Sequence, residues 1–99
     1  MGKKIIINQT DNFKRWHSRL KELNAKQRIS ARLKRVSIGN FGDFKSVGGG
    51  VYEMRIDSGP GYRIYFAQQD KLVYLLLCGG TKASQEDDIE AAKQIWSNI

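Results

Sequence analysis

Apolar residues recur along this chain with two periods. Downstream of Thr10 or Asp11, either a suitable helix cap, Phe13, Trp16, Leu20 and Leu23 are spaced by three or four, the pattern of a helix with one buried face. Lys14, Arg15, Arg19 and Lys21 fall between them, on the side that faces water. Ala25, Ile29, Leu33 and Val36 repeat the spacing as far as Gly39-Asn40, which suits a helix end, and Lys26, Arg28, Arg32, Lys34 and Arg35 take the other face. So short a break predicts an αα-hairpin packed on a sheet. Ahead of it, residues 4–8 are short and β-branched, hence a strand. Residues 39–50 hold five of the ten glycines with little periodicity and read as a connecting loop, with Gly48-Gly49-Gly50 as a flexible turn.

The second period is two. Tyr52, Met54 and Ile56 alternate with Glu53, Arg55 and Asp57, so residues 51–57 form a strand with one buried face. Ser58-Gly59-Pro60-Gly61 is a turn, and residues 62–66 alternate again, with Arg63 and Tyr65 opposite Tyr62, Ile64 and Phe66. Residues 72–78 are almost continuously apolar, as in a strand buried on both sides. Ser84 with Glu86 and Asp87 resembles a capping box, followed by Ile89, Ala92 and Trp96 at helical spacing. The expected order is β-α-α-β-β-β-α, a single α+β domain over residues 1–99 with a mostly antiparallel sheet.

Charge adds a partner to this picture. The chain has 99 residues and a net charge of +7, unevenly placed: residues 1–45 carry 12 Lys and Arg against Asp11, Glu22 and Asp43, whereas residues 46–99 carry 5 against 7 acids. Such a basic surface suits nucleic acid or an acidic protein. No apolar run reaches membrane-spanning length, and three apolar residues before Asn8 are too few for a secretory leader. Cys78 has no second cysteine for a disulfide, and with His17 alone it makes no zinc site. A reduced, cytoplasmic protein without metal or cofactor is expected. No Ser-His-Asp set, paired-carboxylate site or Walker-type phosphate loop can be assembled.

Chemistry concentrates on the middle strands. A turn centred near Gly59 sets Arg55 opposite Arg63 on the face away from the core, and like charges so placed need an anion or a nearby acid. Glu53 or Asp57 would make the pair part of a surface Arg/Glu lattice; a phosphate would make it an arginine fork, favoured by the lack of apolar cover on that face. Tyr65 extends the same face as a stacking or hydrogen-bonding group, or merely covers a neighbour. Lys82 follows Gly79-Gly80, which let backbone approach a ligand or simply end the strand, beside the helix start at Ser84. His17 reads as a helix-surface residue, Trp16 and Trp96 as core, and Cys78 as a small hydrophobe.

Phe13-Lys14-Arg15-Trp16, Gly39-Asn40-Phe41-Gly42-Asp43, Glu53-Met54-Arg55-Ile56, Gly59-Pro60-Gly61-Tyr62-Arg63-Ile64-Tyr65-Phe66 and Gly79-Gly80-Thr81-Lys82-Ala83-Ser84-Gln85 together resemble the addiction-module killer proteins, HigB-like members of the RelE/ParE toxin superfamily. The resemblance covers nearly the whole chain. It implies the toxin of a type II toxin–antitoxin pair, held by a helix-turn-helix antitoxin and reaching operator DNA only through it. It further implies a ribosome-dependent endoribonuclease that cuts mRNA in the A site without a metal, leaving a 2′,3′-cyclic phosphate. By position Arg55, Arg63 and Lys82 match residues that hold the scissile phosphate, while Glu53 stands where RelE-type toxins can carry another basic residue. The chemistry leaves Glu53, Lys82 or Tyr65 as candidate bases and favours none over a forced one, since ribosomal and mRNA groups and orientation alone can supply much of the rate. Lys26, Arg28, Arg32, Lys34 and Arg35 would dock on 16S rRNA. RelE-like enzymes carry a Tyr, and HigB-like ones a His, in a final segment that here offers Asp87, Asp88 and Ile99. That difference keeps two alternatives open: a ParE-like gyrase inhibitor without enzymatic activity, and an inactive remnant that only binds antitoxin.

Overall fold

The computed structural model describes residues 4–99; Met1 to Lys3, the start of the segment read for a leader, lie outside the described residues. The chain runs β1 (Ile6–Gln9), α1 (Asp11–Ser18), α2 (Leu23–Ser37), β2 (Phe44–Gly48), β3 (Val51–Ile56), β4 (Tyr62–Asp70), β5 (Val73–Thr81), a 3-10 turn at Lys82–Ser84, and α3 (Gln85–Ser97). The five strands form one sheet in the order β1-β5-β4-β3-β2, with β1 parallel to β5 and every other pair antiparallel. This is the expected small α+β domain with a mostly antiparallel sheet.

The helices grow from the apolar spacing, with corrections at their ends. Thr10 caps α1 by accepting from the Phe13 N–H at 3.0 Å, and its hydroxyl donates to the Leu77 carbonyl at 2.6 Å, tying the helix start to β5. α1 stops at Ser18, so Leu20 falls in the break and Leu23, expected on the buried stripe, opens α2 exposed. Ala25, Ile29 and Val36 are buried as their spacing requires. Before α3, the reciprocal capping pair is Thr81 with Ser84 around the 3-10 turn, in place of Ser84 with Glu86 or Asp87; the three acids still occupy the first turn of α3.

Two expectations about the sheet change. Residues 39–50 are more than a loop, because Phe44, Lys45 and Ser46 pair with Met54, Glu53 and Tyr52 to make the edge strand β2. Gly48, Gly49 and Gly50 all take positive φ in the hairpin turn that follows, an ordered bend that residues with a Cβ adopt only with strain. The second change concerns the face that carries the arginines. α1 and α2 cover one face, over Met54, Ile56, Ile64, Phe66 and Leu76. α3 covers much of the other, with Ile89, Ala92, Ile95 and Trp96 packed on Val51, Tyr65, Ala67, Leu75 and Leu77. Its apolar stripe needs a surface to bury, and the far side of the sheet supplies it.

A bulge in β5 aligns the strand ends. Tyr65 pairs with Cys78 but Phe66 with Leu76, so Leu77 is the extra residue. Beyond it the alternation shifts by one: Gly79 turns to the α1 side and Gly80, opposite Arg63, to the α3 side. A Cβ on Gly79 would overlap the Trp16 ring, and one on Gly80 would overlap the Asp88 carboxylate. Close packing of helices on the strand accounts for this glycine pair, and the expectation of a ligand approaching there is replaced by that reason.

Candidate functional site

At the start of α3, where its cover of the sheet ends, β2, β3 and β4 bring charged side chains together. Arg55 and Arg63 face each other across the hairpin, as the turn position predicts. The acid between them is Glu53, which is 0% exposed. Its Oε2 accepts hydrogen bonds from the Tyr65 hydroxyl at 3.1 Å and from Gln85 Nε2 at 2.7 Å. Its Oε1 lies 3.9 Å from each of Lys45 Nζ, Arg55 Nε and Arg63 Nε, close enough for charge attraction and too far for a hydrogen bond. Glu53 Oε1 and Arg63 Nε are both buried without a hydrogen-bond partner in this arrangement. Three cations thus gather round one carboxylate, which offsets the repulsion between them.

The cluster has a buried end and an open one. Arg63 is 8% exposed, whereas the Arg55 side chain is 43% exposed and Lys45 keeps half of its surface in water. Arg63 Nη1 and the Lys82 Cβ both border the space beside Gly61, and the Lys82 backbone N–H donates to the Gly61 carbonyl at 2.9 Å. Lys82 is exposed, and with Ala83, Ser84, Gln85, Glu86 and Asp87 it lines a recess of about 320 Å³ at the head of α3.

Several sequence expectations alter here. Tyr65 shares the arginine face but is fully buried under α3, unable to stack on a base. Burial, followed by the Glu53 charge and hydrogen bond, raises the affinity of its phenol for the proton, so it donates to Glu53 and is no proton acceptor. The second acid beside Arg55 is Asp43, with Oδ2 at 3.8 Å from Arg55 Nε; Asp57 makes no ion pair with Arg55 among the described residues. Lys45, Gln85 and Asp43 are site residues that sequence reasoning missed. The pairing of β2 with β3, which sets Lys45 beside Glu53, was the missing signal for Lys45.

The basic face of α2 also divides. Arg32 is buried and donates to three main-chain carbonyls, of Phe41 at 3.0 Å, Arg55 at 2.8 Å and Asp43 at 2.9 Å. It staples the 41–43 segment to β3 and is withdrawn from any nucleic-acid surface. Arg28, Lys34 and Arg35 remain exposed and Lys26 partly so, with Arg28 and Arg35 beside a recess of about 330 Å³ that also includes Ile56 and Asp57. Among the described residues no group of three His, Cys, Asp or Glu is placed to hold a metal ion.

No family model matches the chain. A Haemophilus influenzae (strain ATCC 51907 / DSM 11121 / KW20 / Rd) protein, described as uncharacterized, is 52% identical to it over 95 residues, covering 96% of each. Among solved structures, a mutant of the E. coli toxin RelE in the free state superposes with a TM-score of 0.74 over 94% of this chain and 99% of that one, at 20% identity. That likeness shows a shared fold.

Proposed function

We propose a toxin role for this chain, which belongs to one family with the Haemophilus influenzae protein and has the fold of the E. coli toxin RelE. The finer reading is a HigB-like toxin of a type II toxin–antitoxin pair, acting as a ribosome-dependent mRNA endoribonuclease and silenced by an antitoxin protein. One observation carries it: Arg55 and Arg63, paired across a hairpin around a buried Glu53, with Arg63 Nε unpartnered and Lys82 at the adjoining strand end. Such a cluster suits a phosphodiester better than a neutral ligand.

The chemistry follows from the charges. The 2′-oxygen of one nucleotide attacks the adjacent phosphorus, the bond to the 5′-oxygen breaks, and a 2′,3′-cyclic phosphate and a 5′-hydroxyl result. Negative charge builds on the phosphorane oxygens, where Arg55, Arg63 and Lys82 would act as stabilising cations; one such donor contributes about 3–4 kcal/mol. Glu53 is sealed from solvent, so its role here is to hold the two guanidinium groups side by side. The exposed Lys26, Arg28, Lys34 and Arg35 would meet ribosomal RNA phosphates.

Induced expression with primer extension on cellular mRNA tests the reading. Arrested growth with discrete A-site cuts is expected from the wild type, and Arg63→Ala and Arg55→Ala should each lose about a hundred-fold or more in cleavage rate while staying folded. Equal toxicity of both variants would remove the assignment. Intact mRNA with damaged DNA would instead point to gyrase, and no toxicity in a host lacking the antitoxin to a binding-only remnant.

A further inference from the structure

We infer that Asp43 takes the proton from the attacking 2′-hydroxyl, an inference that rests on the ribonuclease reading above. Of the candidate bases, Lys82 serves above as a cation, and the other two are closed to the task. Tyr65 is buried with its proton held, and Glu53 is closed off from solvent beneath Gln85 and the arginines. Asp43 differs on both counts that matter for reaching RNA. Its side chain is 65% exposed, and among the described residues it is the one exposed acid within ion-pair range of Arg55 or Arg63.

The backbone of Asp43 is held firmly while its carboxylate is left free. Its carbonyl accepts from the Arg55 N–H at 3.0 Å and from the buried Arg32 guanidinium at 2.9 Å, so the residue is anchored to β3 and to α2 together. No side-chain hydrogen bond occupies its carboxylate among the described residues, and Oδ2 lies 3.8 Å from Arg55 Nε. A phosphodiester bridging Arg55 and Arg63 would have this carboxylate at its Arg55 end. A fixed main chain with an uncommitted carboxylate is what general-base positioning requires.

The step balances without any further reactant. The 2′-hydroxyl proton passes to a carboxylate oxygen of Asp43 as the 2′-oxygen–phosphorus bond forms. The electron pair of the breaking bond stays on the 5′-oxygen, which is protonated from water. Asp43 then returns its proton to solvent, and Arg55, next to it, bears on both the carboxylate and the phosphorane charge.

Single-turnover cleavage of mRNA on programmed ribosomes by wild type, Asp43→Asn, Asp43→Glu and Arg63→Ala, with binding of ribosomes carrying 2′-deoxy mRNA measured alongside, tests this. Asp43→Asn should be slower by about a hundred-fold or more yet bind ribosomes carrying 2′-deoxy mRNA as wild type does, and Asp43→Glu, which keeps a carboxylate, should recover part of the rate. A wild-type rate in Asp43→Asn overturns the proposal and leaves the ribonuclease reading standing, provided Arg63→Ala is impaired. A slower variant that loses 2′-deoxy mRNA binding in proportion also overturns it, since Asp43 then only steadies Arg55. No cleavage by wild type removes both readings.

Discussion

Single residues here depart most from what their type suggests. Arg32 sits on the polar side of an amphipathic helix, yet three carbonyls consume its donors and its burial pulls its affinity for the proton down. Arg32→Ala would leave those carbonyls without their donor, and a loss of about 3 kcal/mol in urea-denaturation stability is expected. His17 stacks on Phe13 at 5.9 Å with its Nε2 buried and unpartnered. Burial first, then the Lys26 charge, pulls its pKa below the ordinary 6.5. Between that lowered value and 6.5 the unfolded chain binds a proton that the folded chain does not. Stability is therefore full above pH 6.5 and declines as pH falls through the folded value. His17→Phe keeps the stack and should show a shallower loss than wild type when denaturation midpoints are compared between pH 7.5 and 5. Cys78, pushed up to about 12 mainly by burial, should react with a thiol reagent at pH 8 only after unfolding.

Among the elements, those with a strong period were legible and those fixed by pairing were not. The α2 stripe buries one face, and the alternation in β3 and β4 sorts residues between the α1/α2 side and the α3 side, so the spacing of apolar residues is enough to find them. β2 has no such stripe, since Phe44, Lys45 and Ser46 stay exposed at the sheet edge and only Val47 is half-buried; its register against β3 defines it. Two charged site residues depend on that strand, Asp43 just before it and Lys45 within it. The β5 bulge is equally silent in an apolar run, yet it decides which glycine meets which helix. Gly79→Ala should drive a methyl into the Trp16 ring and destabilise the fold by about 1–3 kcal/mol, read as a lowered Tm. The same change made after Trp16→Ala should cost less, because the ring would no longer be there to clash.

The whole molecule is a sheet clad by helices on both faces, with the Arg55 and Arg63 cluster at one open end and a row of exposed cations along α2. On the proposed reading, binding to the ribosome is driven largely by phosphate neutralisation and weakens with salt. Replacing Arg28 and Arg35 together by Ala should reduce the slope of log affinity against log salt by roughly one to two, while Arg63→Ala should abolish cleavage with a much smaller change in that slope. An equal slope for wild type and the double variant would remove α2 from the interface.

What the amino-acid sequence alone determined is the class of fold, the order of its strongly patterned elements, the facing of Arg55 and Arg63, and the uneven charge, because each of these follows from local spacing or simple counting. Only the tertiary structure decided that Glu53 is the buried centre of the cluster, that Tyr65 and Arg32 are turned to internal bonds, and that Asp43, Lys45 and Gln85 join the site. Those facts depend on contacts between residues far apart in the chain. Whether a charged side chain meets water or a buried carbonyl is set by what folds over it, and no period in the sequence records that.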